Sequence, residues 1–400
     1  MSAAIPRSNE HPPSDSTEHR FIEPLDVLFL RGNKLFGDPG SHGESLVPPW
    51  PSAAAGALRS HLLAQDGTDL AAFAKGQITH PSLGTPAAPG PFALTAFTLA
   101  RQCDDGSLQT LHALPADLVV TDKDGDKKHI QSLRPQAPHT GLLSSSGFAQ
   151  VPVLAETERR KAASGLWLSQ AGWQRYLNGQ LPNAEHDLVK TSELWAIDSR
   201  VGIGLNADTR SADDGKLFTT QAVAFQPGVG FLASVRGATL PAQGSLRLGG
   251  DGRAASSQSV DHQAPKADLH AIATQGRCRV VLTTPGLFAQ GWLPNGFQRE
   301  ADGHHWLNLH GVRARLVCAT VPRSETISGW DLAANNGKGQ PKAALRSAPS
   351  GSVYWLDQLQ ATPEALGKLA DSGFWSDACE DTHRRAEGFN RFAFATYDCI

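Results

Sequence analysis

The chain has no uninterrupted apolar run approaching the ~20 residues a membrane-spanning helix needs, which excludes a transmembrane protein of that type. Its first twenty residues, rich in Pro, Ser, His and Glu, lack the apolar segment of a secretory leader and are expected to form a disordered tail over 1–20. Cysteine is scarce and badly placed for chemistry. Cys103, Cys278, Cys318, Cys379 and Cys399 are odd in number and scattered, and no two are spaced C-x-x-C. Neither a disulfide framework nor a zinc site follows from them; buried or incidental thiols in a reducing, cytoplasmic setting do.

An excess of charge of either sign is also missing. With 36 Lys and Arg against 39 Asp and Glu, the net charge is −3, so a polyanion would have to be held by a local basic surface and not by the overall field. The enzyme signatures are absent too: no G-x-G-x-x-G opening a helix, no Walker lysine, no G-x-S-x-G elbow and no H-E-x-x-H. Asp122, Asp124 and Asp126 alternate like a calcium loop, but Lys127 stands where glycine is required and Leu133 where glutamate is required. His304, His305 and His310 cluster without a completing carboxylate, and neighbouring residues on a strand face opposite ways. No metal, cofactor, membrane or small-molecule substrate is therefore expected.

What is present fits two domains in 400 residues and 42.5 kDa. A strand over 21–30 is followed by a Gly- and Pro-rich loop over 33–51. A helix over 52–64 comes next, with Pro51 at its first turn and small residues suited to close packing on a sheet. Further strands are expected over 91–100 and 111–121, and a hairpin turns through 122–127. A helix over 165–179 carries an aromatic stripe of Trp167, Trp173 and Tyr176, read as core. Strands over 194–206, 216–225 and 230–236 follow, with a turn at 213–215. The Gly-, Ser- and Gln-rich stretch 237–275 places the boundary, giving domains over 21–237 and 238–400. The second half repeats the texture: strands over 277–284, 305–320, 352–356 and 389–397, a helical piece near 285–290 and a helix over 363–372. Strands pairing around interspersed helices, twice over, argue for an α+β fold.

Three Gly-rich loops carry isolated basic residues, a pattern in which backbone N–H groups and a cation can meet a phosphate together. The first runs from Arg31 and Lys34 to Gly43. The second is Arg247-Leu248-Gly249-Gly250-Asp251-Gly252-Arg253. The third runs from Trp330 through Gly337-Lys338-Gly339 and Lys342 to Arg346, with no acidic residue between Asp331 and Asp357. The Arg384-Arg385 pair near Gly388 adds to them. Arg31 could equally pair with Glu23 or Asp26 inside the fold.

At these residues the sequence resembles the Cmr3 family of type III-B CRISPR effector subunits, which are repeat-associated mysterious proteins (RAMPs). The resemblance is carried by Glu23-Pro24-Leu25-Asp26 through Arg31-Gly32-Asn33-Lys34, Pro48-Pro49-Trp50-Pro51, Gly56-Ala57-Leu58-Arg59, Asp214-Gly215-Lys216, Leu248-Gly249-Gly250-Asp251-Gly252-Arg253, Thr284-Pro285-Gly286, Gly291-Trp292-Leu293-Pro294, Gly329-Trp330-Asp331 and Pro349-Ser350-Gly351. These patches run in the family's order from about 21 to 390.

The resemblance implies two ferredoxin-like (RRM-related) RAMP domains with Gly-rich loops and insertions. It also implies a non-catalytic role in antiviral defence: holding the 5′ repeat-derived tag of the guide RNA (crRNA) against the Cas10-type subunit (Cmr2) and neighbouring Cmr backbone subunits. The expected RNA contacts are Arg31, Lys34, Arg59, Gly249, Gly250, Arg253, Gly337, Lys338, Gly339, Lys342 and Arg346. The family's C-terminal glycine loop reads Gly-aromatic-Gly, whereas Gly388-Phe389 is followed here by Asn390, a residue that tolerates the left-handed backbone such a turn needs. The alternative is a metal-independent endoribonuclease like Cas6, a related RAMP. His42 would be its general base, with Lys34 or Arg59 as electrostatic partner.

Overall fold

The computed structural model of the protein describes residues 16–32, 42–123, 127–139, 141, 148, 150–156 and 160–397. The fold is a mixture of α and β built on two antiparallel sheets. The first has the strand order Leu188–Lys190, Leu166–Ser169, Leu108–Ala113, Ala93–Gln102, Val229–Arg236, Glu18–Pro24, Ala254–Ser259, Gln243–Arg247. The second has the order Phe297–Arg299, His305–Leu309, Val312–Thr320, Val353–Gln360, Cys278–Leu282, Phe392–Ala395. No helix among the described residues is long and apolar enough to cross a membrane.

Alternation along the strands sets the layers. Ile22 and Phe231 face a core shared with the helix Pro51–Gln65, while their neighbours Phe21 and Leu232 pack on the opposite face with Ala100. That helix begins with Pro51, as expected, and buries Ala54, Ala55, Ala57, Leu58 and Leu62. Three small side chains bring its axis close to the sheet, and the leucines contribute roughly 1.5–3 kcal/mol each by leaving water. In the second half the helix Pro363–Ser372 starts on Thr362, whose side chain accepts from the Ala365 amide at 3.2 Å, and buries Leu366 and Leu369.

Several expected elements end elsewhere, each for a local reason. The first strand starts earlier and stops at Pro24, so Glu18, His19 and Arg20 belong to the sheet and not to a tail. Beyond it Asp26 accepts from the Val27 amide at 2.7 Å and the chain bends before Leu28 pairs with Val223. The segment 111–121 divides around Pro115 into Leu108–Ala113 and Leu118–Lys123. The helix expected over 165–179 is shorter: Leu166–Ser169 is a strand, and Ser169, accepting from Gly172 N at 3.1 Å, opens a helix over Gln170–Leu177. The reversal placed at 213–215 lies instead at 206–211, where the Asn206 side chain accepts from two following amides, and Asp213 falls within the strand Ala212–Phe225. No helix forms over 285–290; Gly286 pairs instead with Ala348. The calcium-like turn 124–126 lies outside the described residues.

The expected boundary at 237/238 falls inside the first sheet, because Gln243–Arg247 and Ala254–Ser259 return to pair beside Glu18–Pro24. The chain passes to the second sheet through 260–277, which includes the helix Leu269–Gln275. The composition shift over 237–275 marked a region of tight turns, and register against the first strand decides which side of the boundary its strands occupy.

A buried polar network joins the two sheets. Arg279, on the interior strand Cys278–Leu282 next to the edge of the second sheet, donates from Nη1 to Asp117 Oδ2 at 2.7 Å, and Tyr176 Oη donates to Asp117 Oδ1 at 2.8 Å. The guanidinium lies 4.2 Å from the Tyr176 ring centroid. Tyr176 stacks on Trp173, which stacks on His112 at 4.6 Å, so the aromatic stripe is core. Burial, with a smaller contribution from nearby His262, pushes the His112 imidazole down to about 3 from 6.5. The unfolded chain therefore binds more protons between those values, so the stability from this residue is full above pH 6.5 and is lost as pH falls towards 3. At pH 5 the loss comes to about 2 kcal/mol. Urea titrations at pH 7.5 and pH 5 check it, and His112→Gln is expected to flatten the difference between the two midpoints.

Candidate nucleic-acid interface

The third basic loop is held in one conformation. The short strand Trp330–Asp331 pairs with Gln340–Pro341, and the chain between them turns through Asn335 and Asn336, both at φ +53. Asn335 Nδ2 donates to the Gly339 carbonyl at 3.1 Å, and Asp331 accepts from the Ala333 amide at 3.0 Å. Gly337, at φ +81, lies against the end of the helix Leu70–Ala74, where a Cβ would come within 2.8 Å of the Ala74 backbone. Gly339, at φ +77, lies against the Trp330 indole, where a Cβ would sit 2.0 Å from Nε1. Glycine is required at both positions, by the backbone angle and by the close approach.

Behind this loop lies an ion-pair hub that the sequence did not reveal. Glu387 is buried and accepts from Lys342 Nζ at 2.9 Å and from Arg384 Nη1 at 3.0 Å. Arg384 is only 2% exposed, donates to the Ser328 carbonyl at 3.1 Å, and lies over the Phe389 ring. It braces the loop from beneath, whereas the adjacent pair Arg384-Arg385 read as a surface feature. Arg59 shares the same carboxylate at longer range. It packs over Phe92 at 5.0 Å, and burial lowers its pKa while Glu387 acts in the opposite direction.

A cleft of about 340 Å³ opens here, lined by Gln340, Lys342, Leu345, Asp381, His383 and Arg384 among others. Its carboxylates are engaged in local structure: Asp331 on Ala333 N and Asp381 on Arg384 N at 3.0 Å. Lys338 and Arg346 are exposed beside it, Arg346 on the strand Leu345–Ser347. The structure thus brings Arg59, Gly337, Lys338, Gly339, Lys342 and Arg346 into one region, with Arg59 and Lys342 joining Arg384 around Glu387 and Lys338 and Arg346 facing solvent.

The other expected contacts meet elsewhere, around Phe29. The Gly250 amide donates to the Phe29 carbonyl at 2.8 Å, which pins the Gly249-Gly250 turn to the end of the first strand region. Arg253 lies over the Phe29 ring and donates to Asp26 at 2.7 Å. A phosphate contact by Arg253 would have to displace that carboxylate. Asp26 is therefore the partner of Arg253, while Glu23 accepts from the Gly228 amide at 2.9 Å. Arg31 is exposed and bridges Ser45 through the backbone. Lys34 and the side chain of His42 lie outside the described residues; the His42 backbone runs parallel to Thr219.

Asn390 has the left-handed backbone expected of it, at φ +62, but its side chain is turned inward. Its Oδ1 accepts from Leu287 N at 2.6 Å, and the residue is fully buried. The turn survives the loss of glycine, and its amide is spent on the fold. Among the described residues no group of His, Cys, Asp and Glu is arranged to hold a metal ion.

The family model described as CRISPR-associated protein (Cas_Cmr3) matches residues 20–395. Among solved structures, a chain from the type III-B Cmr-beta complex bound to cognate target RNA and AMPPnP is similar at 13% identity. It aligns over 84% of this chain and 86% of that one, with a TM-score of 0.45. A second, from Cmr-beta bound to cognate target RNA, is 15% identical over the same shares, with a TM-score of 0.42. No curated protein matches the sequence.

Proposed function

The chain belongs to the CRISPR-associated Cas_Cmr3 family, and from that premise we propose that it is a non-catalytic subunit of a type III-B effector complex. In this reading it grips the 5′ repeat-derived tag of the guide RNA and docks a Cas10-type subunit. The observation that carries the RNA assignment is the cleft beside the fixed 334–339 loop. Lys338 and Arg346 are exposed close in sequence to Gln340 and Leu345, which line it, and Lys342 reaches it from a buried carboxylate. A preformed loop of this kind can follow an RNA backbone by shape and charge, with no need to read base edges. Glu387 positions Lys342 and offsets part of its charge, so a phosphate at Lys342 would share the ammonium with that carboxylate.

The proposal extends to the fold. Taken in chain order, Glu18–Pro24, Ala93–Gln102, Val229–Arg236 and Ala254–Ser259 lie in the spatial order 4-1-3-2. So do Cys278–Leu282, Val312–Thr320, Val353–Gln360 and Phe392–Ala395. That is the order of a ferredoxin-like β-α-β-β-α-β unit. The first unit keeps its first helix, Pro51–Gln65, and the second keeps its second, Pro363–Ser372. In place of the other helix each has chain that adds strands to its own sheet, Gln243–Arg247 in the first and Phe297–Arg299 with His305–Leu309 in the second, which supports two modified ferredoxin-like domains meeting through residues 260–277.

Co-expression with neighbouring genes tests the assignment. A Cas10-type subunit and RNAs sharing one 5′ tag are expected to co-purify with the tagged chain, and labelled repeat RNA incubated in EDTA is expected to be bound intact. A chain recovered without RNA or partner overturns the reading. Metal-independent cleavage that disappears in His42→Ala replaces it with an endoribonuclease.

A further inference from the structure

Next to the lining of the basic cleft lies an apolar rim, led by an indole, that the cleft's charges and glycines do not require. Trp330 is 58% exposed, although a large apolar side chain on a surface normally has something to cover it. It sits on the two-residue strand whose neighbour Asp331 and partner strand Gln340–Pro341 both line the cleft. One edge of the indole is backed by the loop. Gly339 lies against its nitrogen, leaving no space for even a methyl group, and Asn335 secures the Gly339 carbonyl. Leu332 and Leu345, 40% and 42% exposed, extend the apolar rim on the same segment.

An indole beside a groove of cations is the arrangement with which proteins hold single-stranded nucleic acid: the backbone follows the charges and a base lies on the ring. Every base presents a π-face, so such a platform tolerates any sequence. Lys338 and Arg346 are exposed on the same segment, before and after Pro341, the residue that pairs with Trp330.

We infer that Trp330 is a stacking platform for one unpaired base of the RNA whose phosphates occupy the cleft. This rests on the RNA-holding reading above and names a contact within it. Gly339 acts as a positioning residue, since any side chain there would push the indole aside.

The test uses the full chain with the subunits that co-purify, and guide RNAs carrying a single abasic nucleotide at each tag position in turn. The wild type is expected to lose about 5- to 150-fold in affinity at one position, the range that stacking of one base provides. Trp330→Ala is expected to lose a similar factor on intact RNA and to be indifferent to the abasic site at that position. Trp330→Phe is expected to recover most of the affinity, and Gly339→Ala to reproduce the alanine loss. Identical profiles for wild type and Trp330→Ala overturn the inference while leaving RNA holding in place. Loss of a protein subunit from Trp330→Ala with RNA affinity unchanged also overturns it, by making the indole a protein contact. Failure of the wild type to bind any RNA is the separate outcome that removes the reading on which it rests.

Discussion

Asp117→Ala is expected to destabilise the protein by about 3–5 kcal/mol, enough to unfold most of a marginally stable chain. Asp117 is fully buried, with one oxygen on Arg279 at 2.7 Å and the other on Tyr176 Oη at 2.8 Å. Removing it leaves a guanidinium enclosed in the interface between the sheets. The remaining partners are neutral: the Tyr176 carbonyl at 3.1 Å, the Thr396 carbonyl at 2.9 Å and the face of the Tyr176 ring. The cost arises from the uncompensated charge and not from the worth of the pair, so the double replacement Asp117→Ala with Arg279→Met is expected to be more stable than Asp117→Ala alone. Denaturant midpoints of the four proteins in that cycle decide it. A single replacement costing under 1 kcal/mol would show that water or a shifted side chain reaches the guanidinium. Because Asp117 lies in the first half and Arg279 on an interior strand of the second sheet, near-UV circular dichroism should report loosening of the junction before either sheet melts.

The other large effect is on binding. The double replacement Lys338→Glu with Arg346→Glu is expected to weaken RNA binding by on the order of 100-fold or more, and to lower the slope of log affinity against log salt by about 2. Both residues are exposed, and neither is in an ion pair among the described residues, so reversal leaves the fold intact. The contrast is Arg253→Ala. That residue already pairs with Asp26 across a solvent-exposed contact, and its loss is expected to leave RNA affinity within a few-fold and to cost under about 1 kcal/mol of stability. Affinities measured at several salt concentrations separate the two cases. Equal losses in both variants would show that the loop around Phe29 holds RNA as strongly as the cleft does.

The expected contacts divided in this way because charge and glycine are visible in a sequence while partners are not. Arg253 and Lys342 look alike as isolated cations in Gly-rich segments. In the structure the exposed carboxylate of Asp26 holds one and the buried carboxylate of Glu387 holds the other. Glu387 was passed over since a lone glutamate next to Gly388 carries no pattern; only the approach of Lys342, 45 positions away, makes it a hub. Trp330 stands in one of the family's motifs, but its exposure is not written in residue type. Arg384 and Arg385 differ in fate by one position on a short helix, where the turn of the backbone sends one inward beneath Ser328.

What the sequence determined by itself was local or compositional. The helix Pro363–Ser372 was legible to the residue from Thr362, Pro363 and the closing Gly373, and Pro51 marked the first helical position of Pro51–Gln65. The ordered motifs from Glu23 to Ser350 were enough for the family. Tertiary structure alone decided the rest: that strands 243–247 and 254–259 belong to the first sheet, that Arg279 closes on Asp117, and that three cations converge on one carboxylate. Caps and turns are settled by neighbours within four residues. Sheet membership and the Asp117–Arg279 pair depend on segments well over a hundred residues apart, and the setting of the indole on a loop that folds back on it; such contacts exist only after the chain has packed.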